Sequence, residues 1–178
     1  KKAIYKMNHK WNYQPITPEQ AETSQTLAQE LGISPILGQL LVQRGITKAA
    51  DAKKFFRPQL PDLHDPFLMK DMEKAVERVE RAVANQEKIM VYGDYDVDGC
   101  TAVALVYKFL RQIGHKNLMF YIPDRYTEGY GISVKGIDLA ARKGVGLIIA
   151  LDCGIKATEK VVYAKTKGVD FIICDHHL

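Results

Sequence analysis

The sequence predicts an α/β fold: an open parallel sheet with flanking helices, preceded by a helical N-terminal subdomain. Three observations predict it. Apolar runs at 88–93, 118–123, 147–152 and 170–175 are nearly continuous rather than alternating, as strands covered on both faces are. Helical patterns at about 99–113, 133–143 and 156–167 separate them, each followed by a stop glycine: Gly114, Gly144 and Gly168. Acidic and imidazole residues gather where the runs end. Asp94, Asp96 and Asp98 follow the first run, Asp152 closes the third, and Asp175-His176-His177 closes the fourth.

The N-terminal part reads as helices joined by Pro-containing turns. Thr17-Pro18 opens a helix that stops near Gly32, and Ser34-Pro35 opens a second that ends before Gly45. Thr47 is the expected cap of a third, running through Phe55-Phe56 until Pro58 and Pro61 break it. From Asp71, the residues Met72, Ala75, Val76, Val79, Ala82 and Val83 form a helical apolar stripe. The expected division is a helical subdomain at 1–86 and the sheet domain at 87–178. Lys53, Lys54 and Arg57 read as a solvated helix face, and His115, after Gly114, as a surface residue.

Composition sets bounds. The 178 residues suffice for one domain with a subdomain, and a net charge of +4 is too weak by itself to argue for nucleic acid. No apolar run approaches membrane-spanning length, so no membrane partner is expected. Three cysteines, Cys100, Cys153 and Cys174, each in or beside an acidic motif, suggest free thiols in a reducing, cytoplasmic setting. Side chains alternate along a strand, so Cys153 and Cys174 are expected to point away from the neighbouring Asp and pack.

In open parallel sheets ligands bind beyond the C-terminal strand ends, where strand order reverses. An order 2-1-3-4 brings Asp94–Asp98 opposite Asp152, with His176 one strand further on. Such a cluster requires positive charge, and a divalent cation supplies it. Gly93–Gly99 has the opening of an EF-hand loop, but its twelfth position is Leu105 rather than Glu, so that reading fails. A solvent-facing acidic turn explains this segment alone equally well; the paired histidines tip the balance, although an accidental strand end is their alternative. Carboxylates with imidazole suit Mn²⁺ or Mg²⁺. Two ions about 3.5–4 Å apart would clamp a phosphoryl group, with Asp152 the expected bridge. Thr101 and the helix start around it offer a hydroxyl and amides to phosphate. In Asp124–Gly131, Arg125 would pair with phosphate and Tyr130 stack on a base; the simpler reading is a structural turn with Arg125 on Glu128.

The ordered motifs VYGDYDVDG (91–99), IPDRYTEGYGIS (122–133), ALDCGI (150–155) and CDHH (174–177) resemble the DHH phosphoesterase family. Within it they look like the branch of single-strand-specific 5′→3′ DNA exonucleases rather than the pyrophosphatase, oligoribonuclease or cyclic-dinucleotide members. The stretch from Leu40 to Val83 and Trp11 fit the same branch, so the likeness covers essentially the whole chain. The resemblance implies Asp94, Asp96, Asp98, Asp152 and His176 as metal ligands, and His177 on the scissile phosphate or in proton transfer. It also implies Mn²⁺, with Mg²⁺ also used, and hydrolysis of single-stranded DNA to 5′-mononucleotides in repair and recombination. The family pattern continues past Leu178 with another strand bearing an Asp ligand and a second domain. The chain is therefore expected to be cut at its C-terminal side and inactive alone. Two other classes compete. A phosphoacceptor domain needs a Lys at a late strand end, where this chain has two His. A non-catalytic DNA-binding scaffold would have lost ligands, and none within this span is missing.

Overall fold

The computed structural model describes residue 12 and residues 14–177; His9 and Trp11 lie outside the described residues. Two compact units divide between Asp65 and Pro66. The first contains α1 (Pro18–Leu31), α2 (Pro35–Gln43), α3 (Ala49–Phe56) and a 3₁₀ turn at Leu60–Asp62. Thr17 caps α1, accepting from the Gln20 amide while the Gln20 side chain accepts from the Thr17 amide. Leu27, Leu41, Val42 and Ala52 form this unit's core. Thr47 does not cap α3: the N-cap is Lys48, with no side-chain bond to the helix. Lys54 of the expected solvated face pairs with Asp62 at 3.2 Å.

The second unit holds a 3₁₀ turn (Pro66–Leu68), α4 (Met72–Ala84), β1 (Lys88–Gly93), α5 (Val97–Gln112), β2 (Leu118–Tyr121), α6 (Val134–Arg142), β3 (Val145–Leu151), α7 (Thr158–Thr166) and β4 (Asp170–Cys174). All strand pairs are parallel, in the order β2-β1-β3-β4. The unit boundary falls earlier than the expected 86/87 because α4 belongs to the sheet. Ala82 is fully buried with Ile89, Val91, Leu147 and Ile149, and Val79 and Val83 pack against that cluster. Met90, Tyr92, Ile148 and Ala150 point to the other face, against Ile137 and Ala140 of α6 and Ala164 of α7. Alternate residues of β1 and β3 thus enter two separate cores, which is why their sequences read as unbroken apolar runs. No helix among the described residues is long and apolar enough to cross a membrane.

His115 is buried rather than at the surface, with neither ring nitrogen hydrogen-bonded. Gly114, at φ 92°, turns the chain back so that the His115 amide reaches the Leu110 carbonyl at 3.0 Å. In this type of helix end the residue after the glycine folds back onto the helix.

Candidate metal centre

The first acidic segment is pinned between β1 and α5. A Cβ on Gly99 would lie 2.6 Å from the backbone N and O of Asp94, so only glycine lets the helix start this close to the strand end. The helix begins two residues before the expected start, because Asp96 is its N-cap and accepts from the Gly99 amide at 3.0 Å. That places Asp94 beneath the loop, Asp96 at its crest and Asp98 on the first helical turn. Asp94 is 1% exposed, and its Oδ1 has no hydrogen-bond partner. Burial pushes its pKa up; the Tyr95 amide opposes this, and the negative Asp96 and Asp152 add to it.

At the end of β3 the chain turns sharply. Asp152 adopts φ 59°, and its amide donates to the Cys174 carbonyl at 2.8 Å. A non-glycine residue there carries strain of order 1 kcal/mol or more, held by the surrounding structure. The turn delivers its side chain, 9% exposed, to β4's end, where Asp152 Oδ1 lies 3.1 Å from His176 Nε2. His176 Nε2 is also 4.0 Å from Asp98 Oδ2. Ligand atoms of Asp152, His176 and His177 all lie within 4.8 Å of one another.

The sequence reading included Asp175 in the cluster but gave it no role. Its side chain, 2% exposed, accepts from the Ile155 amide at 2.9 Å and meets His177 Nδ1 at 2.6 Å. The signal was available: residues two apart in extended backbone share a face. The Asp175 contact raises the His177 pKa against the opposing effect of burial, and the Ile155 amide, followed by the His177 amide and ring, holds Asp175 below the usual carboxylate range despite burial.

Three expectations are corrected in detail. Thr101 donates its hydroxyl to the Val97 and Asp98 carbonyls of its own helix, at 2.7 and 3.0 Å, which leaves no proton for a phosphate. Arg125 does not pair with Glu128: its guanidinium stacks 4.4 Å above the Tyr95 ring. Glu128 instead anchors the loop, accepting from the Tyr121 and Ser133 hydroxyls and the Asp124 amide, with 5% of its side chain exposed. Cys174 is exposed at the end of an edge strand, whereas Cys153 packs into the core as expected and burial pushes its thiol up to about 12. Tyr130 reaches the centre itself, its hydroxyl 3.3 Å from both the Asp152 carbonyl and His177 Nε2.

The donors suit a divalent, oxygen-preferring cation: carboxylates and imidazole, no cysteine in the group of ligand atoms found among the described residues, and one buried carboxylate oxygen without a partner. An open cleft of about 770 Å³ adjoins them, lined by Asp96, Tyr130, Ile155, Lys160, Asp175 and His177 among others.

An open parallel sheet with this carboxylate–imidazole rim defines a class, and residues 88–178 match the model of the DHH family, N-terminal domain. The chain belongs to the DHH family. It is 40% identical over 168 residues to the single-stranded-DNA-specific exonuclease RecJ of Bacillus subtilis, covering 94% of this chain and 21% of the relative. It is 32% identical to RecJ of Escherichia coli, covering 93% of this chain and 28% of the relative. The chain thus spans between about a fifth and somewhat over a quarter of the length of these curated relatives. Among solved structures, exonuclease RecJ bound to manganese superposes with TM-score 0.57 at 31% identity, covering 62% of this chain and 28% of that one. The fold also matches RecJ of Thermus thermophilus in complex with Mn²⁺, with TM-score 0.65 at 24% identity over 88% of this chain and 21% of that one.

Proposed function

We propose that this chain is the N-terminal part of a metal-dependent exonuclease that degrades single-stranded DNA from the 5′ end, releasing 5′-mononucleotides during DNA repair and recombination in the cytoplasm. The observation that carries the reading is the 3.1 Å approach of Asp152 to His176 beside the unpartnered, buried Oδ1 of Asp94. The names of the relatives supply the substrate; the polarity rests on the motif resemblance. Asp94, Asp96, Asp98, Asp152 and His176 would hold Mn²⁺ or Mg²⁺, a pair in the complete enzyme, with Asp152 between the acidic segment and the histidine. A cation in this position would neutralise phosphate charge and activate water for attack on phosphorus.

The rest falls to the chain's own groups. Asp96 divides its carboxylate between the Gly99 amide and the rim, so helix α5 fixes its direction. The second imidazole, His177, faces the cleft and would contact the scissile phosphate or move a proton there. Asp175 holds its Nδ1 and fixes its tautomer. The stacked Arg125 presents charge at the loop edge for a phosphate.

The test is the full-length protein with a labelled single-stranded oligonucleotide and Mn²⁺. The reading expects stepwise loss from the 5′ end, abolished by Asp152→Ala and His176→Ala. A wild-type protein that binds the oligonucleotide without shortening it would replace the exonuclease with a non-catalytic scaffold. Residues 1–178 expressed alone are expected to bind Mn²⁺ weakly and to show little activity.

A further inference from the structure

Tyr130 lies in the Gly-rich loop after β2, and its loop is unusually well fastened. Glu128 draws in Tyr121 and Ser133, while the buried Tyr92 hydroxyl donates to the Gly131 carbonyl and accepts from the Ser133 amide, both at 2.9 Å. This framework brackets Tyr130 on both sides, so its placement is built in from the core of the sheet. The ring stands edge-on to Tyr95 at 6.3 Å between centroids and edge-on to His177 at 5.9 Å. Its hydroxyl lies 3.3 Å from the Asp152 carbonyl, 3.3 Å from His177 Nε2 and 3.5 Å from Nδ1. Since Asp175 occupies Nδ1 at 2.6 Å, Nε2 is the partner left for the hydroxyl.

Two groups from different parts of the chain thus grip the His177 imidazole, Asp175 at one nitrogen and Tyr130 at the other, and Tyr130 ties the ring to the backbone of the strained residue Asp152. We propose that Tyr130 is a positioning residue: its hydroxyl sets the orientation of His177 relative to Asp152. The link to Asp152 is complete when Nε2 carries a proton: the hydroxyl then accepts from Nε2 and donates its own proton to the Asp152 carbonyl. When Nε2 is bare the single hydroxyl proton serves the ring or the carbonyl, not both. Contacts of this length in a ligand-free site tighten when substrate arrives. The inference rests on the proposed phosphodiesterase reading and is distinct from base stacking: it assigns the role to the hydroxyl, whereas stacking would need only the ring of this residue, which is 53% exposed.

Tyr130→Phe separates the two roles, because it keeps the ring and removes only the oxygen. In the full-length Mn²⁺ enzyme acting on a 5′-phosphorylated single-stranded oligonucleotide, kcat is expected to fall about 10- to 100-fold, the usual cost of losing an orienting partner. KM and the Mn²⁺ concentration for half-maximal activity should move less than about twofold. In a His177→Ala background the same substitution should cost nothing further, since the group it orients is gone. A Tyr130→Phe enzyme with wild-type kcat, or one that loses the same factor with and without His177, overturns the proposal. A Tyr130→Leu enzyme whose only defect is a raised KM restores base stacking. A wild-type enzyme with no activity on single-stranded DNA sinks the functional reading instead and takes this inference with it.

Discussion

The two ends of the sheet handle their carboxylates in opposite ways. At the end where the strands begin, Arg78 of α4 donates to Asp170 at 2.7 Å, to Glu87 at 2.8 Å and to the Gly146 carbonyl at 3.2 Å. Two acids from different elements share one guanidinium whose side chain is 13% exposed. At the end where the strands finish, Asp94, Asp96, Asp98 and Asp152 meet no Lys or Arg in a salt bridge among the described residues. One buried oxygen there is unpartnered, and Asp152 sits in a left-handed conformation. At the first end the carboxylates find their counter-charge within the protein, although Arg78 Nη1 is buried without a hydrogen-bond partner; at the second no cationic side chain of Lys or Arg among the described residues supplies it. Placing unpaired carboxylates together costs stability, and such strain concentrates where function needs it.

The comparison can be broken most severely at the finishing end. Asp152→Ala or His176→Ala in the full-length enzyme should lower nuclease activity by on the order of 1000-fold, roughly 4 kcal/mol of barrier, with thermal stability nearly unchanged. Steady-state hydrolysis of a single-stranded oligonucleotide measures it, and retention of a tenth of the activity would remove these residues from the centre. The opposite pattern is expected at the starting end. Arg78→Ala strands Glu87 and Asp170 and should cost about 2–3 kcal/mol of unfolding free energy in urea melts, while activity per folded molecule is preserved.

A smaller effect concerns the loop that carries Tyr130. The hydrogen bonds from Ser133 and Tyr121 outweigh burial and hold Glu128 below its ordinary value of 4.5. A carboxylate depressed in the folded state adds stability that is present above its unfolded value and is lost as pH falls through the folded one. Glu128→Gln should therefore cost about 1 kcal/mol near neutrality, and the gap from wild type should close on acidification below about pH 4. A pH-independent difference would show that packing, not charge, holds the loop. The smallest effect sharpens the contrast. Asp94 is raised, so its ionisation opposes folding: its contribution is most favourable below the unfolded carboxylate range and is lost as pH rises through its folded value. Asp94→Asn should raise the metal-free melting midpoint slightly, on the order of 2 °C near neutrality, and abolish any further rise on adding Mn²⁺. An equal Mn²⁺-induced rise in variant and wild type would place the cation elsewhere.

Particular residues show how much was legible beforehand. The runs around Ile89, Ile148 and Ile172 announced buried strands, and Gly114 and Gly168 announced helix ends, because apolar periodicity and backbone permissiveness are local properties. The gathering of Asp98, Asp152 and His176 followed from the general rule for parallel sheets once the order 2-1-3-4 was assumed, an order the structure adopts. Less visible was everything that depends on which neighbour arrives first. Thr101 spends its proton on its own helix, Arg125 prefers the Tyr95 ring to Glu128, and Asp175 proves to be the orienting partner of His177. The division of the structure at Asp65/Pro66 differs from the expected 86/87 for the same reason, since the apolar stripe of α4 shows that it packs without saying on which core, while the family match begins at residue 88.

By itself the sequence determined the element types, the parallel sheet and the set of residues able to meet at its rim, since each follows from spacing along the chain. Only the tertiary structure decided the roles within that set: which oxygen stays unpaired, which ring nitrogen is gripped, which residue bears the strain. Those depend on angles and distances between segments as far apart in sequence as Asp94 and His177, and hydrogen-bond competition at that range is settled by packing, which no local pattern encodes.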